Sequence, residues 1–144
     1  MLLISIVYLL MSGYTTVNGA EWIYYNESSL GTYYYDKESI TSDGKGIIKV
    51  WDKTVYSEKG KQDYIGWRKE RGIYDTKFED LSYTLNLYAL KCSTREFDIM
   101  SGSHSNSEAR IIDSYSNPSP SYDPISPESI IESLYEIVCK VKKI

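Results

Sequence analysis

The single histidine is the first residue to consider for chemistry, because histidine titrates near neutral pH and can act as a general base. His104 lies between Ser103 and Ser105, which invites comparison with a nucleophile and base pair. Neighbouring residues in a turn seldom place one side chain to activate the next, and no orienting acid is evident. Residues 101–107 are polar and contain glycine, so we expect a turn that carries an exposed histidine.

Three other short motifs carry less chemistry. Gly44-Lys45-Gly46 lacks the spacing of a phosphate-binding loop and the serine or threonine after its lysine, so it predicts a turn. Glu79 and Asp80 could form an acid pair, but nothing indicates a cleft or a raised pKa, so we interpret them as solvated loop charges. Asn26-Glu27-Ser28 matches a glycosylation acceptor, which matters only in a eukaryotic secretory route. We therefore expect no catalytic residue, no metal and no cofactor.

The two cysteines, Cys92 and Cys139, leave two interpretations open. With one histidine in the chain they cannot supply the usual ligand set of a structural zinc site. In an oxidising compartment an even pair is most simply one disulfide. A reactive thiol is the remaining alternative.

The first twenty residues indicate export. They carry no charge, and the apolar run from Leu2 to Met11 is shorter than the about 20 residues of a membrane-spanning helix. The run fits a signal peptide, and Gly19 and Ala20 suit a signal peptidase, although the usual basic start is missing. A buried N-terminal strand or helix is the alternative. We predict a signal peptide over residues 1–20 and a domain over 21–144 without a transmembrane segment.

Composition restricts the partners. The net charge of −4 argues against nucleic acid, since the basic residues of the segment 59–71 are diluted by acids and indicate a solvated helix face. The chain has 15 tyrosines, all but Tyr8 and Tyr14 after Ala20. Tyrosine is enriched at protein interfaces, but it can also simply cover a small sheet.

Alternating apolar and polar residues predict six strands. The strongest signal runs from Tyr83 to Met100, where two alternating segments separated by Ser93-Thr94-Arg95 predict a hairpin. The other predicted strands are Trp22–Tyr25, Thr32–Asp36, Ile47–Tyr56 and Ala109–Tyr115. All four prolines fall within Asn117–Pro127, which we expect to be an irregular crossover without sheet.

Two segments predict helices. Gln62–Arg71 has helix-forming residues between glycines and is either a short amphipathic helix or a mobile loop. The C-terminal segment reads as a helix with Ser126 as N-cap and Pro127 at the first position. Cys139 lies off its apolar stripe, so a bond to Cys92 requires the sheet to meet the helix flank or the helix to loosen.

The predicted fold is α+β, a single antiparallel sheet of about six strands with the C-terminal helix packed on one face. If a surface is functional, we expect the sheet face opposite that helix. Tyr33 or Tyr35, together with Tyr56, would contribute to binding there.

The order of features resembles the surface-adhesin protein E-like family of bacterial exported proteins. The matching residues are Trp22-Ile23-Tyr24-Tyr25, Val50-Trp51, Leu81-Ser82-Tyr83-Thr84-Leu85, Leu87-Tyr88 before Cys92, Arg95 with Phe97, Ile125-Ser126-Pro127-Glu128-Ser129 and Val138-Cys139. The resemblance implies an antiparallel sheet with a C-terminal helix tied on by the two cysteines. It also implies an envelope location and, through the best-known member, adhesion to host cells and extracellular-matrix proteins.

These observations lead to one main hypothesis and one alternative. The main hypothesis is an exported bacterial envelope or surface protein that acts as a non-enzymatic, adhesin-like protein-binding module. A homodimer is compatible with this hypothesis. Its partner would be an extracellular-matrix or envelope protein. The alternative is a periplasmic structural or assembly protein that binds other envelope components.

Overall fold

The computed structural model describes residues 19–140. The predicted signal peptide over residues 1–20 lies outside this range except for Gly19 and Ala20, and it stays a prediction. The strands are β1 Trp22–Ser28, β2 Gly31–Asp36, β3 Thr41–Ser42, β4 Ile47–Tyr56, β5 Leu81–Lys91, β6 Glu96–Asn106, β7 Ile111–Ser116 and β8 Asp123–Pro124. The helices are α1 Glu58–Glu70 and α2 Ile130–Lys140.

The strands form one antiparallel sheet. Its order is β1-β2-β4-β5-β6-β7, with β3 paired to β4 and β8 paired to β6. Strands that follow one another in sequence lie side by side because their connections are short. The six long strands and the C-terminal helix confirm the predicted α+β fold.

Helix α2 covers one end of one sheet face. Side chains on a strand alternate between faces, so Ile48 and Val50 of β4 point the same way. Both pack with Leu90 of β5 against Leu134 and Val138 of α2, and all five are buried. Burial of each such side chain contributes roughly 1.5–3 kcal/mol. This side of the sheet is called the helix face below, and the other side the open face.

Helix α1 lies on the same face, at the opposite end. Ile65 of α1 is buried with Phe78 and Leu81 in a second apolar cluster, against which Tyr56 of β4 packs. Tyr56 has the same parity on β4 as Val50, so it lies on the helix face. The sequence predicted one helix on the sheet, and the structure places two there.

The start of α1 is fixed by the turn between β1 and β2. Ser57 Oγ accepts a hydrogen bond from the Gly60 N–H at 3.0 Å and donates one to the Ser29 carbonyl at 2.6 Å. Gly60 lies so close to the Leu30 carbonyl that a Cβ atom would overlap it. The predicted helix is confirmed, and it begins before Gln62 because Ser57 caps it.

The turn predicted over residues 101–107 is wrong. Strand β6 continues to Asn106 and pairs with β5 along its length, so His104 lies in a strand opposite Thr84. His104 is 6% exposed rather than an exposed turn residue. Pairing with a long neighbouring strand outweighs the low strand propensity of serine and glycine.

The proline-rich crossover contains a short strand, contrary to the sequence prediction. Asp123 and Pro124 pair with Phe97 and Glu96 of β6. Strand β8 lies beyond the end of β7, and no strand within the described residues pairs with its outer side. Pro124 therefore does not have to donate a backbone hydrogen bond to a strand on that side.

The C-terminal helix is confirmed, but its predicted N-cap, Ser126, is wrong. Glu128 has φ of 62°, a left-handed conformation that an α-helix cannot include. Ser129 Oγ instead accepts the Glu132 N–H at 3.2 Å, as an N-cap residue does. The helix therefore begins at Ile130.

Cys92 and Cys139 form the predicted disulfide. Helix α2 continues to Lys140, so the helix stays intact at Cys139 and its flank meets the β5–β6 hairpin. Two further contacts join the same elements: Tyr135 Oη donates to the Cys92 carbonyl at 2.7 Å, and Arg95 pairs with Glu132 at 2.7 Å. The hairpin tip and α2 are thus joined by covalent, polar and ionic contacts together.

Replacing both cysteines with alanine is expected to lower the free energy of unfolding by as much as roughly 4 kcal/mol, because the bond closes a long loop in the unfolded chain. Chemical denaturation of the oxidised protein and of the double variant measures this difference. Reductant should weaken the parent and leave the double variant unchanged. Equal stability of the two proteins would contradict the stabilising role of the bond.

Candidate functional site

Helix α1 presents a stack of side chains to solvent. Tyr64 and Trp67 lie one turn apart, and their rings stack with centroids 5.7 Å apart and an interplanar angle of 16°. The Arg71 guanidinium lies 4.1 Å from the Trp67 ring centroid. Trp67 is 42% exposed despite its size. These three residues are called the aromatic ridge below.

A cavity lies on each side of the aromatic ridge. The β7-side cavity has a volume of about 520 Å³ and extends over β5, β6 and β7. The β2-side cavity has a volume of about 440 Å³ and is bounded by Leu30 and Tyr33. Tyr56, Tyr64 and Trp67 line both. The ridge therefore forms a wall between two concave surfaces.

A chain of hydrogen bonds ties the ridge to the sheet. Arg68 donates to Tyr64 Oη at 3.3 Å, and Tyr64 Oη lies 3.0 Å from His104 Nε2. His104 Nδ1 lies 2.7 Å from Thr84 Oγ1, which lies 2.9 Å from Tyr56 Oη. A guanidinium only donates, so Tyr64 Oη accepts from Arg68, and its own proton can go to His104 Nε2. A hydroxyl oxygen can also accept twice, so we assign the histidine proton to Nδ1 as the tautomer in which Tyr64 Oη donates to Nε2.

His104 is a neutral structural group at pH 7. Burial lowers the pKa of His104 to about 4; the nearby Asp113 carboxylate acts against this effect and Arg68 adds to it. Both ring nitrogens have a partner, and the Phe78 ring lies edge-on with its centroid 5.7 Å from the imidazole. The imidazole positions Tyr64 rather than offering a free nitrogen to a substrate.

A second hydrogen bond closes the floor of the β7-side cavity. Tyr115 of β7 crosses over Gly102 of β6 and donates to Asn86 Oδ1 of β5. A Cβ atom at Gly102 would collide with both partners of this bond. Glycine is needed here because a tyrosine from the neighbouring strand lies across it.

A buried carboxyl group lies between the two apolar clusters. Asp52 of β4 is 1% exposed and accepts a hydrogen bond from Tyr25 Oη. Burial raises the pKa of Asp52 to about 7, although hydrogen bonds from Tyr25 and Thr54 lower it. Asp52 therefore changes charge near neutral pH, with its proton retained below that range.

The three predicted binding tyrosines lie on the helix face, not on the opposite face. Tyr35 is opposite Asp52 and Tyr33 is opposite Thr54, and directly paired residues point to the same side. Tyr33 and Tyr56 line the β2-side cavity, whereas Tyr35 packs against the α2 cluster. The open face carries other tyrosines instead: Tyr24, Tyr34 and Tyr83. A binding role for Tyr33, Tyr35 and Tyr56 stays a prediction.

Sequence reasoning missed the centre of the site. The i, i+3 and i+7 spacing of Tyr64, Trp67 and Arg71 was a usable signal, because such residues share one helix face. The partners of His104 had no comparable signal, since Thr84 and Tyr64 reach it only through strand pairing and helix packing.

Comparison with known proteins gives one family. A family model described as surface-adhesin protein E matches residues 22–140, nearly the whole described chain. No curated protein matches the chain significantly. No helix within residues 19–140 is long and apolar enough to cross a membrane.

Asp52 and His104 should give opposite pH dependences of stability. The raised pKa of Asp52 stabilises the fold below about pH 4, and this stability is lost as the pH rises to about 7. The lowered pKa of His104 stabilises the fold above about pH 6.5, and this stability is lost as the pH falls to about 4. The two effects oppose each other over the same range.

Asp52→Asn, relative to the parent, should add a slope of about +1.4 kcal/mol per pH unit between about pH 4.5 and 6. His104→Gln should add a slope of similar size and opposite sign. Denaturation curves at several pH values measure both, and the parent is the common control. Parallel pH profiles for all three proteins would rule out the assigned environments.

Proposed function

Because the chain belongs to the surface-adhesin protein E family, we propose that it is an exported, adhesin-like module that binds a protein partner without catalysing a reaction. Residues 1–20 would direct export and be removed. The Cys92–Cys139 disulfide supports this proposal, because such bonds persist in oxidising compartments.

The observation that carries the proposal is the exposed aromatic ridge between two cavities. Tryptophan, tyrosine and arginine are the residue types that dominate binding energy at protein interfaces. Trp67 and Ile73, both large and apolar, are exposed at this place. A partner would cover the ridge and insert side chains into the cavities beside it, with Tyr33 and Tyr56 contributing on the β2 side.

The ridge is also held in place before binding. Tyr64 is stacked on Trp67 and hydrogen-bonded to the buried His104, so its rotamer is restricted in the free protein. Binding then costs less conformational entropy than it would for a mobile side chain. A rigid aromatic surface suits recognition of a folded partner.

The surroundings of His104 support a non-enzymatic role. Its two nitrogens are occupied by Thr84 and Tyr64, and its low pKa leaves it a weak base at pH 7. A general base must be able to reach and accept a substrate proton. Binding therefore accounts for this site better than catalysis does.

The alternative is a periplasmic assembly protein that uses the same ridge on another envelope component. A homodimer is compatible with either role. The open face presents Trp51, Leu87 and Tyr34, whose side chains are partly exposed and available for contact with a second copy. Cellular location separates the two roles, so location is tested together with binding.

Trp67→Ala should weaken binding to an immobilised basement-membrane extract about tenfold or more, because the ridge loses its largest contact surface. Surface plasmon resonance with residues 21–144 measures this effect. Tyr24→Ala, which removes a 53% exposed aromatic side chain from the open face, is the matched control and should bind like the parent. Equal loss in both variants would reject the ridge as the binding surface.

Protease added to intact cells should degrade the protein if it acts at the surface. A periplasmic control protein in the same cells must stay intact. Full protection of the chain would favour the periplasmic assembly role.

A further inference from the structure

Strand β7 forms an edge of the sheet. It is the last strand in the order, and no described strand pairs with its outer side. Its six residues contain no proline, lysine or arginine, and Asp113 is their only charged residue. Ile111 is 67% exposed. Natural edge strands are usually protected by lysine, proline, a bulge or a covering segment. Strand β7 has a bulge near its start, at Ile112, so the part that remains open to another strand is Asp113 to Ser116.

The hydrogen bonds of β7 show which backbone groups point outward. The Asn117 N–H donates to the Met100 carbonyl of β6 at 2.7 Å, which sets the alternation along the strand. The Ser114 N–H donates to Asp113 Oδ1 at 2.9 Å instead of to β6. Ser114 and Ser116 therefore direct their N–H and C=O groups away from the sheet. Ile112 lies at a bulge between the pairs His104–Asp113 and Ser105–Ile111, where this alternation is interrupted.

The β7-side cavity lies directly inside this edge. Asp113 and Tyr115 form its rim, and Trp67 and Ile73 supply apolar walls. Within residues 19–140, no lysine or arginine lies within ion-pair distance of the Asp113 carboxylate. Arg68 also lines the cavity, but its guanidinium is bound to Tyr64 Oη and the Ile73 carbonyl and lies over the Phe78 ring. A side chain entering from an added strand would meet an unpaired carboxylate at the rim.

These features favour a separate peptide over a second copy of β7. A second β7 strand would bring Asp113 and Tyr115 as its helix-face side chains. Its Tyr115 is held by its own Asn86 and could not enter the neighbouring cavity. Its Asp113 would bring a second carboxylate to the Asp113 rim, and the one cation among residues 19–140 that lines the cavity, Arg68, is already bound to Tyr64 Oη and the Ile73 carbonyl.

We propose that the β7 edge binds an extended segment of a partner protein as an added antiparallel strand, with a lysine or arginine of that segment placed at the rim of the β7-side cavity against Asp113. Main-chain hydrogen bonds to Ser114 and Ser116 provide affinity, and the Asp113 carboxylate selects the basic side chain. The Ser114 N–H exchanges Asp113 Oδ1 for a peptide carbonyl, which frees the carboxylate for the cation.

This inference is independent of adhesion and of the aromatic ridge as a docking surface, because its probe is a short peptide and its readout is confined to β7. The probes are synthetic hexapeptides of alternating threonine and valine, with one central position occupied by arginine or by glutamate. They are titrated into ¹⁵N-labelled, oxidised residues 21–144, and amide shifts are followed by NMR.

The arginine peptide should shift the amides of Ser114 and Ser116 and bind at least tenfold more tightly than the glutamate peptide. Asp113→Asn should reduce that difference to about threefold or less. Ser114→Pro removes an outward N–H that β6 does not use, so it should abolish binding. Ser114→Ala retains that N–H and should bind like the parent.

A second probe keeps the test independent of how the proline variant folds. An arginine peptide with N-methyl groups on the residues that pair with β7 should not bind, whereas methylation of the other residues should be tolerated. The proposal is overturned by equal binding of the arginine and glutamate peptides, by shifts centred away from β7, or by no shift at millimolar peptide. Concentration-dependent protection of the β7 amides without peptide would assign the edge to a second copy and also overturn it.

Discussion

Helix α1 is held on the sheet by a buried chain of hydrogen bonds as much as by apolar contact. Its buried residues are Gly60 and Ile65, and the helix has little other apolar surface. The chain from Tyr56 through Thr84 and His104 to Tyr64 supplies the rest. Leaving one such buried group unpaired costs about 1–3 kcal/mol, so the position of the aromatic ridge and the shape of both cavities depend on this chain.

Two helices on one sheet face create the polar region between them. Helix α2 and the disulfide close an apolar cluster at one end, and α1 closes a smaller one at the other. The strand positions between the clusters carry Asp52, Asn86 and His104, each of which is buried and hydrogen-bonded. These groups restrict the side chains of the cavities. They also place Asp52 and His104, whose titration changes the stability of the fold in opposite directions, within one small domain.

Local patterns predicted most of the fold, and long-range contacts explain most errors. Strand β4 and the Cys92–Cys139 bond were predicted because a run of β-branched and aromatic residues and an even cysteine count are local or arithmetic signals. His104 was misplaced because polar neighbours hid a strand that β5 stabilises. Helix α2 begins later than expected because Glu128 is in a left-handed conformation. That conformation cannot be inferred from the sequence.

The candidate site was harder to predict than the fold. Tyr33, Tyr35 and Tyr56 were chosen for their residue type, but their face depends on strand register and on a second helix whose position was unknown. The ridge lies on that helix. Its tryptophan and arginine were visible in the sequence, yet their exposure follows from the packing of Ile65 and Tyr64 against the sheet.

The ¹⁵N resonances of the His104 imidazole test the central claim most directly. The account predicts one neutral tautomer at pH 7, with the proton on Nδ1 and an unprotonated Nε2 that accepts from Tyr64 Oη. It also predicts that the ring stays neutral at pH 5, because burial lowers its pKa to about 4. A mixture of tautomers that titrates near pH 6.5 would mean that His104 is exposed to solvent and does not hold the aromatic ridge in place.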